Sequence, residues 1–120
     1  MFAIRTLPTS PSEPDGPPLG EITIGDFTER FVCYPADSRE AKWREQLQAL
    51  VDGKPVALLV HDPRFAWVIF REAEVCFVQQ KFSRDGTFTD LGARTTVTED
   101  GHPVSEWKTT IAEIRRFLQT

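Results

Sequence analysis

The chain has 120 residues, a formal net charge of −4 and a pI of about 5.2. That balance speaks against direct nucleic-acid binding, which leaves a basic footprint, and no run of about 18 apolar residues offers a membrane span. With 40% hydrophobic and 27% charged residues, the composition fits one globular domain able to bury its own core.

Taken in chain order, Phe2–Thr6 reads as a short strand. Residues 7–19 carry five of the nine prolines and read as an extended arm or loop, because proline cannot donate to a ladder and restricts its predecessor. Glu21–Ile24 alternates as a strand, Gly25-Asp26 breaks it, and Phe27–Tyr34 resumes with Phe27, Phe31 and Cys33 on related faces. Pro35 ends this stretch. A helix follows. Asp37 is suited to the N-cap with Glu40 three residues on, Trp43, Leu47, Leu50 and Val51 form one apolar stripe, and Asp52-Gly53 stops it.

Pro55–His61 and Phe65–Arg71 are apolar at successive positions, as in central strands covered on both sides. The short Asp62-Pro63-Arg64 connection makes the pair an antiparallel hairpin. Val75–Phe82 is a third strand after the Glu72-Ala73-Glu74 turn, and Thr87–Leu91 is expected as a short edge strand. Ala93–Thr98 and Val104–Thr109 are expected to pair around Glu99–Pro103. Thr110 and Glu113 then form a T-x-x-E capping box for a terminal helix with an Ile111, Ile114, Phe117, Leu118 stripe. Arg115 and Arg116 suit the negative end of its dipole. The expected fold class is α+β: an antiparallel sheet of about five to seven strands, with one mid-chain and one C-terminal helix packed on it.

Chemistry-bearing residues are sparse. Cys33 and Cys76 lie outside any CxxC pair and sit in apolar segments, which suits buried reduced thiols; a disulfide between them stays open. No nucleophile elbow, P-loop, dinucleotide fingerprint or H-E-x-x-H motif is present. His61 and His102, with Lys54 or Lys108, would have to meet in space to form an acid–base pair, and nothing in their spacing requires it. No metal or cofactor is expected. Asp26, Glu29, Asp85, Asp90, Glu99, Asp100 and Glu106 fall mostly at turns and strand ends. On one shared face they would form a patch able to cover a basic cleft; scattered, they are ordinary solvation. Trp107 is either a core residue or a contact anchor. The N-terminus shows no basic-then-apolar leader, so a cytoplasmic location is the default expectation.

Three segments carry a resemblance: GEITIGDFTERF (Gly20–Phe31), AKWREQLQAL (Ala41–Leu50) and TEDGHPVSEWKTTIAEIRRFL (Thr98–Leu118). They look like segments of bacterial contact-dependent growth inhibition (CDI) immunity proteins, within the wider set of polymorphic-toxin immunity proteins. The resemblance implies a cytosolic, non-enzymatic protein that binds the C-terminal toxin domain of its cognate effector. Many such toxin domains are nucleases and many are basic. No family contact residue carries over, and no family pattern is recognisable in Asp62–Leu91, where recognition of an individual toxin would be expected to reside.

Charge and position alone nominate the toxin contacts. They are Asp62 and Arg64 in one turn, Glu72 and Glu74 in the next, and Arg84, Asp85 and Asp90 after the third strand. Glu99, Asp100, Glu106 and Trp107 complete the set near the C-terminus. A monomer without membrane or direct nucleic-acid contact is expected. The competing readings are a non-catalytic adaptor or small-ligand domain, and a small two-histidine nuclease.

Overall fold

The computed structural model describes residues 1–8, 16–34, 39–88 and 92–120. Among the described residues, seven strands and two helices form an α+β fold, with the strands divided between two antiparallel sheets. The first sheet has the order β1-β2-β3, from β1 (Phe2–Thr6), β2 (Leu19–Ile24) and β3 (Phe27–Val32). Helix α1 (Arg39–Val51) leads to the second sheet, β4-β5-β6-β7. Its strands are β4 (Val56–Asp62), β5 (Phe65–Glu72), β6 (Val75–Phe82) and β7 (Trp107–Thr110), followed by α2 (Ile111–Leu118).

Strand alternation explains the first sheet. Phe2 pairs with Ile24 and Ile4 with Ile22 across β1 and β2; Ile24 pairs with Phe27 and Gly20 with Phe31 across β2 and β3. These residues share one face, and that face meets the core. Only glycine fits at position 20, because a Cβ there would collide with the Phe31 ring. The inner face of the second sheet supplies Ala57, Leu59, Trp67, Ile69, Cys76 and Val78 to the same core, joined by Trp43, Leu47 and Leu50 of α1 and Ile111 and Ile114 of α2. Cys33 and Cys76 are buried free thiols, and burial pushes the Cys76 thiol up to about 11.

Helix α1 presents the Trp43, Leu47, Leu50 stripe expected from its period, and Gly53 closes it at φ 124°. The proposed cap, Asp37, and Pro35 lie outside the described residues. In α2 the Thr110 hydroxyl accepts from the Glu113 backbone N–H at 3.2 Å, as the T-x-x-E spacing requires.

Three expectations are corrected. Only β5 is covered on both faces: Ala66, Trp67, Val68, Ile69 and Phe70 are all buried. β4 is an edge strand whose burial alternates. Its free edge is nonetheless occupied. The Trp43 indole N–H donates to the Val60 carbonyl at 2.8 Å, the Leu58 N–H donates to Gln46 Oε1, and the Tyr34 N–H donates to the His61 carbonyl. Apolar residues at consecutive positions therefore mark an edge shielded by a helix as well as a central strand.

The expected Ala93–Thr98/Val104–Thr109 hairpin is reduced to a single bridge between Val97 and Pro103 around the Glu99-Asp100-Gly101 turn. Pro103 has no N–H to extend a ladder, Thr95 gives its carbonyl to Gln79, and Trp107–Thr110 pairs with β6 instead. Thr87 and Phe88 form no strand either. Asp85 accepts from the Thr87 N–H and hydroxyl, and Phe88 takes a left-handed φ of 49°. The remainder of that expected strand, 89–91, lies outside the described residues.

Candidate functional site

The inner face of the second sheet is apolar along most of its length and polar at one end. In β4 the inward set Ala57, Leu59 ends on His61; in β6 the set Cys76, Val78 ends on Gln80. β3 runs across this end. Phe27 stacks on Trp107 of β7 with centroids 4.2 Å apart, and Phe31 reaches Trp67 of β5 at 5.9 Å and His61 of β4 at 4.5 Å. Glu29 lies between the two phenylalanines, on the same core-facing register as its partner Ile22. A carboxylate thus occupies a position that strand alternation reserves for an apolar side chain.

Two adjoining cavities open here and share Gln80. One, of about 430 Å³, is lined by Glu29, Trp107, Thr98 and the Pro103–Ser105 segment. The other, of about 320 Å³, is lined by Phe31, Val32, His61, Asp62 and Phe65. Phe65 continues onto Phe82, which is 58% exposed, at a centroid distance of 5.2 Å. Below this floor Trp67 is fully buried, and its indole N–H has no hydrogen-bond partner among the described residues.

His61 is buried and structural. Its Nδ1 faces the Val32 carbonyl at 2.9 Å and its Nε2 faces Gln80 Nε2 at 3.1 Å. A carbonyl only accepts, so the neutral ring carries its proton on Nδ1 and accepts from the Gln80 amide. Burial holds its pKa below 6.5, with the Val32 contact opposing. His102 is exposed in the Glu99–Pro103 turn, its backbone N–H held by the Thr98 hydroxyl. The two histidines have separate partners and do not form an acid–base pair.

The nominated contact residues fall into separate groups. Asp62, Arg64, Arg84 and Asp85 gather at one end of the second sheet. The Ser83 N–H donates to the Arg64 carbonyl, and Gly86, at φ 75°, approaches Pro63 so closely that a Cβ would lie 2.6 Å from its carbonyl oxygen. The Thr87 N–H and hydroxyl and the Ser83 hydroxyl hold the Asp85 carboxyl below its ordinary value. Glu99 and Asp100 are exposed at the turn whose flanks, Thr98 and Pro103, line the Glu29 cavity. Glu72 and Glu74 sit at the opposite end of β5, bound to Arg94 at 3.2 Å and Arg71 at 3.4 Å. Asp90 lies outside the described residues.

Glu106 belongs to a different structure, on the outer face. Arg94 lies 3.5 Å over the Phe77 ring and donates to Glu106 through Nη2 at 2.6 Å and Nε at 2.8 Å. Buried Gln79 adds its amide to Glu106 at 2.6 Å and to the Thr95 carbonyl at 3.0 Å. This clip fastens the segment from Arg94 to Glu106 against β6. The Arg94 guanidinium holds the Glu106 carboxyl below its ordinary value, burial opposing. The acidic residues therefore do not share one face.

The profile of the CdiI N-terminal domain family matches residues 31–117. The chain belongs to that family, the immunity proteins of contact-dependent growth inhibition. Among solved structures, a chain of the CdiA-CT/CdiI toxin and immunity complex from Enterobacter cloacae is similar at 22% identity and a TM-score of 0.71, covering 99% of this chain and 97% of that one. At that identity the likeness establishes a shared fold. No curated protein matches the chain. Among the described residues, no group of three or more His, Cys, Asp or Glu side chains is placed to hold a metal, and no helix is long and apolar enough to cross a membrane.

Among the residues lining the two cavities, Glu29, Phe31 and Gln80 were outside the nominated contact set, although Glu29 was one of the acidic residues considered for a shared patch. The signal for Glu29 was a charge on the Phe27, Phe31 face of an alternating strand.

Proposed function

We propose that this CdiI-family protein binds the C-terminal toxin domain of a cognate CDI effector and neutralises it by covering the active site or substrate groove. The family match over residues 31–117 carries the reading, and the fold shared with a chain of a toxin and immunity complex supports it. The toxin is proposed to be a basic nuclease, met in the cytoplasm by a monomeric, cofactor-free immunity protein. The inhibitor acts without catalysis. Its one buried histidine is engaged by Val32 and Gln80 and holds no nucleophile.

The proposed contact surface combines the Asp62, Arg64, Arg84, Asp85 end, the Glu99-Asp100 turn and Trp107. Glu72, Glu74 and Glu106 already have cationic partners, and the contact set leaves them to the fold. Complementary charge would speed encounter, and an aromatic anchor buried on binding would set the dissociation rate.

The test is a calorimetric titration with the C-terminal domain of the effector encoded beside this chain, together with rescue of cells expressing that domain. Saturable 1:1 binding with rescue is expected. Absence of both binding and rescue would overturn the reading.

A further inference from the structure

We propose that the groove between β3 and the polar end of the second sheet receives a cationic side chain from a basic segment of the toxin domain. The inference rests on the immunity reading above and adds the site and the chemistry of recognition. Three polar residues, Glu29, His61 and Gln80, continue the inward registers of β3, β4 and β6 past the end of the apolar core, His61 buried and Glu29 and Gln80 exposed. His61 and Gln80 satisfy one another, and His61 also binds Val32. Glu29 has no ion-pair partner among the described residues, nor has Asp62 across the groove.

Among the described residues lining the two cavities, these two carboxylates are the only charged groups, since burial keeps His61 neutral near pH 7. The remaining walls are aromatic: Trp107 beside Glu29, and Phe31 and Phe65 beside Asp62. A carboxylate next to an aromatic face is the combination that holds a guanidinium or ammonium group, through a charge-assisted hydrogen bond and a cation–π contact. The clip on the outer face has this composition from within the chain, with Arg94 between Glu106 and Phe77. The groove has the carboxylates and the rings, and no lysine or arginine is among its described lining residues, although the charge of Arg39 reaches His61. A deficit of positive charge in an acidic protein complements a basic partner.

Another recess among the described residues, between β1, α1 and α2, is already balanced. Its Glu113 meets the N-terminal amine at 3.5 Å, its Glu40 accepts from Thr6 at 2.9 Å, and its Arg44 lies over Phe117.

The experiment titrates the neighbouring effector's C-terminal domain into three proteins. They are the wild type, the Glu29→Gln/Asp62→Asn double variant, and a control with Glu45→Gln/Asp52→Asn on and just after α1. Both double variants raise the net charge equally. The groove variant is expected to bind about tenfold more weakly or worse and to lose part of the wild type's salt dependence, while the control stays within about twofold. Circular dichroism and the unfolding midpoint establish that each is folded; should the double variant unfold, Glu29→Gln alone carries the test, as an exposed edge-strand position. Equal affinities of wild type and groove variant, at unchanged salt dependence, overturn the groove and leave the immunity reading standing. No binding by the wild type overturns both.

Discussion

The two faces of the second sheet use carboxylates in opposite ways. On the outer face Glu106 is enclosed by Arg94 and Gln79, over the Phe77 ring. At the inner end Glu29 and Asp62 line open cavities beside Trp107 and Phe65 without a cation of their own. The residue types match, and the difference lies in whether the chain supplies the counter-charge. A carboxylate neutralised internally fastens the fold. One left beside aromatic walls is available to a partner, and its desolvation is repaid only on binding.

The contrast predicts separable effects. The largest on stability is expected from Glu106→Ala, which strips Gln79 and Arg94 of their common acceptor and frees the Arg94–Glu106 segment. A loss of about 2 kcal/mol is expected for a partly buried charged acceptor, read as a lower urea midpoint, with affinity per folded molecule within about twofold of wild type. A large affinity loss in a stable Glu106→Ala protein would break the distinction between the faces.

Acid titration sharpens it further. The Glu106 carboxyl is depressed in the folded state, so its contribution is present above its unfolded value near 4.5 and is lost as pH falls through the lower folded value. Glu106→Gln should flatten that limb of the stability curve. His61 acts in a higher window. Its folded pKa lies below 6.5, so the unfolded chain binds the proton first and stability declines as pH falls below 6.5. His61→Gln should remove that decline, measured as the urea midpoint between pH 7 and pH 5. A midpoint that rose on acidification would contradict the neutral, buried ring. The smallest effect is expected from Gln80→Ala, which withdraws the amide shared by His61 and both cavities. A few-fold weaker toxin binding is expected, with a stability change of about 1 kcal/mol or less.

What the sequence disclosed follows the range of each interaction. The cap of α2, the Trp43, Leu47, Leu50 stripe and the Gly25 and Gly53 turns depend on neighbours within a few residues, and they were legible. The division into two sheets was not, because β3 closes no ladder with β4 and the chain passes through α1 between them. The Ala93–Thr109 stretch alternates like a hairpin, yet Gln79, far upstream on β6, captures Thr95 and Glu106. Trp107 was open between core and contact, and it serves the core by stacking on Phe27 while lining a cavity. The groove itself forms only where β3 crosses β4 to β7. No local pattern could place Glu29 beside Gln80, although its intrusion into the Phe27, Phe31 face was visible.

The central claim is that the toxin domain docks at the inner, cation-deficient end of the second sheet. Nuclear magnetic resonance of the ¹⁵N-labelled protein, titrated with that domain, tests it most directly. The backbone signals of Glu29, Phe31 and Gln80 and the indole signal of Trp107 should shift or broaden at saturation. The indole of Trp43, sealed against Val60, and the amides of Phe77 and Arg94 should stay in place. Perturbation confined to Phe77, Arg94 and the outer face, with Glu29 and Trp107 unmoved, would contradict the account.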